Sequence, residues 1–138
     1  MPENTETQKD YARYRLEKSA EDLESAGLLL EHHNFRGANN RAYYAIFHAL
    51  RAVLALDNYD SKKHRGIIGE FRRRYIKTGI FPVEISEMIG NASMIRNASD
   101  YDDMFIASRA ESEEQVENAQ TVYRTIKEYL DIKLQETE

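Results

Sequence analysis

Apolar residues recur every three or four positions along most of the chain, in five stretches that predict five helices. The first runs over about residues 9–32, with Leu16, Ala20, Leu23, Gly27 and Leu30 on one stripe. Asn34 and the pair Arg36-Gly37 break it. The second runs over about residues 37–56 and is apolar on more than one face, through Ala38, Ala42, Tyr43, Ile46, Phe47, Leu50, Val53 and Leu54. That pattern marks the central helix of a fold. Asp57-Asn58-Tyr59-Asp60-Ser61 forms a turn in which Asp60 or Ser61 is placed to cap the next helix.

The third helix, about residues 62–77, turns Ile67, Ile68, Phe71 and Tyr75 inward and its basic residues outward. Thr78-Gly79 stops it, with glycine in the usual C-terminal position. Pro82 suits the first turn of the fourth helix, whose inner face is Ile85, Met88, Ile89, Ala92 and Ile95. A loop of about a dozen residues starts at Tyr101, and Ser112 with Gln115 reads as a capping box for the last helix. Val116, Ala119, Tyr123, Ile126 and Leu130 then alternate at the spacing of bundle packing. The prediction is an all-α, antiparallel up-and-down bundle of about five helices. It forms one domain over residues 1–138, flexible at 1–8 and frayed at 133–138.

Composition narrows the chemistry. A hydrophobic content of 41% supports a small core, and six glycines with two prolines disfavour a turn-rich β fold. The chain has no cysteine, which excludes disulfides, thiolate metal sites and cysteine nucleophiles. Residues 1–6 are polar and acidic, and no apolar run approaches membrane-spanning length. A cytoplasmic protein without membrane contact is the expectation.

The formal net charge of −5 argues against general coating of nucleic acid. Its distribution is uneven. Lys62, Lys63, Arg65, Arg72, Arg73, Arg74 and Lys77 cluster against the single acid Glu70, whereas acids dominate from Asp100 onward. The basic face either binds phosphate or pairs with the acidic C-terminal helix or a second subunit.

Candidate chemistry concentrates in Arg96-Asn97-Ala98-Ser99-Asp100-Tyr101, followed by Asp102 and Asp103. Arg96 and Asp100 stand at i and i+4, a helix-surface pair worth about a few tenths of a kcal/mol. The order is the weaker one, and Asp100 faces the negative end of the helix dipole. Stability alone explains the motif poorly. Asp100, Asp102 and Glu111 fall at EF-hand positions one, three and twelve, but Phe105 stands where the loop requires glycine.

His32 and His33 are adjacent at a helix end, and His48 reads as a buried, hydrogen-bonded core residue. His64 opens the third helix, placed to cap it or to contact a phosphate. No His-x-x-x-His pair, glycine-rich phosphate loop or nucleophile elbow is present, so neither a metal nor a cofactor is expected. Asn40 and Arg41 are costly on a central helix and need partners, for which Asp100 to Asp103 are candidates.

Four segments taken together resemble the HEPN domain family, and most closely its small stand-alone prokaryotic members. They are Arg41-Ala42-Tyr43-Tyr44-Ala45-Ile46-Phe47-His48-Ala49, Lys63-His64-Arg65-Gly66, Lys77-Thr78-Gly79, and Arg96 followed by Asp100-Tyr101. They fall in the right order, and the resemblance extends over about residues 9–132. It implies an antiparallel helical bundle, a homodimer, and a minimal nucleotidyltransferase partner in a toxin–antitoxin or defence module. Many members are metal-independent RNases whose motif is an Arg, often with a polar residue after it, and a His four to six positions later.

Arg96 and Asn97 match the start of that motif, and Tyr101, Asp102 or Asp103 takes the place of its His. Cleavage of RNA through the 2′-hydroxyl needs groups that exchange protons near neutral pH, as His does unaided and Tyr and Asp do not. Arg41 and His48 also match the bare spacing, but on an apolar helix.

The resemblance therefore implies binding of a nucleotidyltransferase, nucleotide or RNA at the cleft of residues 96–103. Arg96, Asp100 and Tyr101 are its catalytic candidates. Asn40, Arg41, His64, Asn97 and Asp103 are its ligand-binding candidates. Tyr101 is by position the candidate acceptor of an AMP group. An RNase toxin, with Arg96 on the phosphate and Asp100, Tyr101 or His64 in acid–base roles, is the alternative, and a purely structural interaction module is the third reading.

Overall fold

The computed structural model describes residues 5–135. They form α1 (Glu6–Glu31), α2 (Phe35–Ala55), α3 (His64–Phe71), α4 (Val83–Tyr101) and α5 (Arg109–Gln135), with a π turn, Arg72–Ile76, continuing α3. Among the described residues there is no strand, and no helix is long and apolar enough to cross a membrane.

The helical bundle is built around α2, which packs against α1, α3, α4 and α5. Its many-sided apolar pattern is the cause: Ala42, Ala45, Ile46, Ala49, Leu50, Val53 and Leu54 are all buried. Against it α1 sets small residues, Ala12, Ser19 and Ala26, each fully buried. Small side chains on both helices permit close approach, and the Ser19 hydroxyl donates to the Ala45 carbonyl across the contact. The wider stripe read for α1 is only partly buried at Ala20, Leu23, Gly27 and Leu30.

The hairpin between α1 and α2 is short because both ends are capped. His33 adopts φ 62°, and the amides of His33 and Asn34 bond back to Leu30 and Leu29, a Schellman closure. Asn34 then caps α2 by accepting from the Gly37 amide at 2.9 Å. A Cβ on Gly37 would lie 2.9 Å from the Asn34 side chain, so the cap requires glycine there.

Several boundaries differ from the sequence expectation: α2 already starts at Phe35, ahead of the expected Arg36-Gly37 break, and Lys63 rather than Asp60 or Ser61 stands at the N-cap of α3, with no side-chain cap. The third helix is regular only to Phe71; Lys77 N–H then bonds to the Arg72 carbonyl, five residues back. The wider turn keeps Phe71 and Tyr75 stacked with Phe81 while Arg72 swings to Ser86 on α4. The loop after Tyr101 spans residues 102–108 rather than a dozen. Ser112 does not cap α5. Its hydroxyl is buried and donates to Asn39 Oδ1 at 2.9 Å, while Ser108 and Glu111 make the reciprocal cap one turn earlier. At the N-terminus, Thr5 and Gln8 form a capping box, so residues 5–8 are ordered into α1. Residues 133–135, expected to fray, continue α5, and residues 1–4 and 136–138 lie outside the described ones.

Two polar links hold α4 and α5 to α2. Asn39, 2% exposed, donates to Ser99 Oγ at 3.0 Å and accepts from Ser112, joining three helices through one buried amide. Arg36 donates to the carbonyl oxygens of Ser99, Asp102 and Phe105, which satisfies the C-terminal end of α4.

Candidate functional site

The last two turns of α4 lie against the first half of α2, with the start of α3 alongside. Arg96 projects into this junction with its side chain 14% exposed. Nη2 donates to the Tyr44 hydroxyl at 2.9 Å and Nη1 to Asn97 Oδ1 at 3.2 Å. Nε stands 3.1 Å from Asp100 Oδ2, an ion-pair distance, but its N–H is not aligned with that oxygen and makes no hydrogen bond. The guanidinium carbon also lies 5.1, 5.4 and 5.6 Å from the ring centres of Tyr43, Tyr44 and Tyr101.

Asp100 is held from the other side, where Asn40 Nδ2 donates to its Oδ2 at 2.9 Å. Arg41 does not join this cluster, contrary to the sequence expectation. It turns to α1, where Nη1 meets Asp22 Oδ1 at 2.9 Å, and its Nη2 donates to Asn40 Oδ1 at 2.7 Å. The close α1–α2 approach brings the Asp22 carboxylate nearer than those of the α4 end. Asn40 is thus the link between two ion pairs, and the Tyr44 ring lies under both guanidiniums, 4.9 Å from Arg41 and 5.4 Å from Arg96.

His48 differs from its expected role as a hydrogen-bonded core residue. It is only partly buried; Nε2 lies 3.6 Å from Asp22 Oδ2, and Nδ1 is buried with no hydrogen-bond partner among the described residues. Burial lowers its pKa, against the opposing pull of Asp22.

His64 approaches the Arg96 site from α3. Its ring centre is 4.2 Å from that of Phe47, 5.6 Å from Tyr44 and 5.7 Å from Tyr43, the aromatic pair that Arg96 also covers. Nδ1 is 2.9 Å from the Tyr43 hydroxyl. Burial, then the charges of Arg96 and Arg51, lower the His64 pKa, so the neutral imidazole is the favoured form at pH 7. Burial raises the Tyr43 pKa to about 12, so its hydroxyl stays protonated and can donate to Nδ1 or accept from it. A neutral imidazole, a phenol and a guanidinium therefore share one junction, a set able to hold a phosphate and exchange a proton.

The remaining predicted residues lie at the rim. Asn97 touches Arg96 as described. Tyr101 ends α4 with 73% exposure, and Asp103 is exposed without a hydrogen bond or ion pair among the described residues. The basic residues of 72–74 find partners nearer than the acidic last helix: Arg73 and Arg74 hold Glu70 at 2.8 and 2.7 Å, and Arg72 donates to Ser86 at 2.9 Å. Those two arginines pull the Glu70 pKa down to about 2. Lys62, Lys63 and Arg65 are exposed and make no ion pair among the described residues. No cluster of three metal-ligating side chains occurs among the described residues.

Sequence reasoning missed Tyr44, Asp22 and Arg36. Tyr44 carried a signal, a hydroxyl next to an apolar stripe and one position off it. Asp22 and Arg36 carried none beyond their charge.

The family model for the HEPN domain matches residues 12–129, and the chain belongs to the HEPN domain family. Its relatives include a Methanocaldococcus jannaschii protein named "Putative toxin", 30% identical over 83% of this chain and 78% of that one. A Thermotoga maritima protein named "UPF0332 protein" is 31% identical over 66% of this chain and 69% of its own. The crystal structure of a Thermus thermophilus protein superposes with a TM-score of 0.72, covering 85% of this chain and 96% of that one. At 21% identity that likeness concerns the fold.

Proposed function

We propose that this protein is a cytoplasmic, homodimeric HEPN component of a toxin–antitoxin or defence module, with a minimal nucleotidyltransferase as its partner. It binds nucleotide or RNA at the cleft of residues 96–103. The observation that carries this reading is the Arg96 junction, where one guanidinium is oriented by Tyr44, Asn97 and Asp100 beside the exposed ring of Tyr101. A relative whose name carries the word toxin supports the module. The exposure of Tyr101 suits an acceptor whose hydroxyl a transferase must reach. Mass spectrometry after incubation with the cognate transferase and ATP tests it. An adduct on Tyr101, absent from Tyr101→Phe, supports the reading, and an unmodified chain counts against it.

One observation favours a second reading, a metal-independent RNase. His64 reaches the junction from another helix as a neutral imidazole, and so supplies the proton-transfer group that residues 97–103 lack. Arg96 would then stabilise the charge of the phosphorane-like transition state. RNA cleavage by the purified protein that is lost in both Arg96→Ala and His64→Gln supports this reading. No cleavage, or equal cleavage by all three, rejects it.

A further inference from the structure

Beyond Arg41, a cavity of about 420 Å3 opens between α1 and α2. That volume is within the range of about 300–1,000 Å3 typical of small-ligand sites. Arg15 and Lys18 enter it from α1, and Arg41 and Arg51 from α2. Fewer carboxylates balance them. Asp22 pairs with Arg41 at 2.9 Å, and Glu21 stands 3.9 Å from Lys18. Arg15 and Arg51 share one oxygen of Asp60, at 3.2 and 2.9 Å. Two guanidiniums on one carboxylate repel each other, and burial together with Arg51 lowers the Arg15 pKa.

The rim is aromatic. Tyr11 and Tyr14, 54% and 56% exposed, line the same cavity. Each has a cation near its ring, Arg15 at 5.4 Å and Lys18 at 5.7 Å. His48 lines it as well, with its Nδ1 lacking a hydrogen-bond partner among the described residues. Core packing does not require the aromatic rim, because both tyrosines are half exposed, and the exposed Lys18–Glu21 pair contributes little to stability.

We propose that the groove between α1 and α2 is a second ligand site and takes a nucleoside monophosphate. Its phosphate would enter between Arg15, Lys18 and Arg51, and its base would stack on Tyr11 or Tyr14. A phosphate dianion relieves the repulsion that one shared carboxylate leaves. A base has a π face for which a half-exposed tyrosine is a sequence-tolerant platform. The groove carries Glu21 and Asp22 in its lining, which suits one compact anion rather than a polyanion track. The site stands independently of what happens at Arg96.

The test is titration of the purified protein with each of the four 5′-ribonucleoside monophosphates, followed by calorimetry and amide chemical shifts. Inorganic phosphate and adenosine serve as parallel probes. At least one monophosphate should bind in the α1–α2 groove once per chain, beside any binding at the Arg96 cleft, shift amides of α1 and α2, and bind there more tightly than either probe alone. Lys18→Glu and Tyr14→Ala, both at exposed side chains, should each weaken it by about tenfold. Arg96→Ala should leave it within about twofold. No binding by any monophosphate at millimolar concentration overturns the proposal. So does binding that survives Lys18→Glu and Tyr14→Ala but is lost in Arg96→Ala, since that places the ligand at the other site. Equal affinity for inorganic phosphate removes the base from the assignment and overturns it in this form.

Discussion

Asn40 donates its amide proton to the Asp100 carboxylate across 2.9 Å and thereby fixes the end of α4 on α2. Asp100 stands in the last turn of α4, where the helix dipole disfavours a negative charge. Asn40 on one side and Arg96, at 3.1 Å, on the other offset that penalty. The arrangement holds the Arg96 guanidinium in place.

Asn40→Ala removes a hydrogen bond to a charged group and is expected to cost about 1–2 kcal/mol in urea unfolding. Combined with Asp100→Ala, the losses should fall short of their sum by at least about 0.5 kcal/mol, because the two residues share the bond. Strictly additive losses would show that the bond does not form in solution.

Asn39→Ala removes the partner that the buried Ser99 and Ser112 hydroxyls share, and leaves Ser112 only the Phe35 carbonyl. A loss of about 2–3 kcal/mol follows, with the urea m-value unchanged. A loss below about 0.5 kcal/mol would mean that water or rotamer changes satisfy the two hydroxyls.

Arg36 satisfies three carbonyls at the end of α4, so Arg36→Ala should open that end locally rather than unfold the bundle. Amide exchange is expected to quicken at residues 99–106 and to stay near the wild-type rate in α2 and α5. Uniform acceleration across all helices would contradict the local clamp.

Stability should depend on pH through His48 and His64. Both have pKa values lowered from the ordinary 6.5, with burial as the first cause. Just below pH 6.5 the unfolded chain therefore binds more protons than the native one, so stability rises with pH in that window. It should be level near pH 7.5 and fall as pH drops through 6.5 toward the lowered native values. His48→Gln and His64→Gln should each flatten the curve in urea unfolding across pH 5.5–7.5. A wild-type curve that is level there, or rises on acidification, contradicts the linkage.

Much of the fold was legible because burial is periodic. α2 reads as central from Ala42, Ile46, Phe47, Leu50, Val53 and Leu54, and all of these are buried. The inner residues of α4 and α5, Ile85, Ile89, Ala119, Ile126 and Leu130, follow the same rule. Ser112 misled because a capping box and a buried hydroxyl share the same residue type. The true box at Ser108 and Glu111 is equally explicit in the sequence. The π turn after Phe71 left no mark, since it arises from packing of Phe71, Tyr75 and Phe81 rather than from local preference.

By itself the sequence determined that the chain is a helical bundle, which helix is central, and that Arg96 and Asp100 lie one turn apart on one face. Those properties depend on residues within a few positions of each other. The tertiary structure alone decided which charges meet. Arg41 chose Asp22 over Asp100 because small residues on α1 and α2 let those two helices approach closely. His64 reached the junction of Arg96 because the start of α3 packs on the tyrosines of α2, 52 and 53 positions before Arg96 along the chain. Helical periodicity carries no distance between helices, and ion-pair and hydrogen-bond energies fall off within a few ångströms, so partner choice waits for packing.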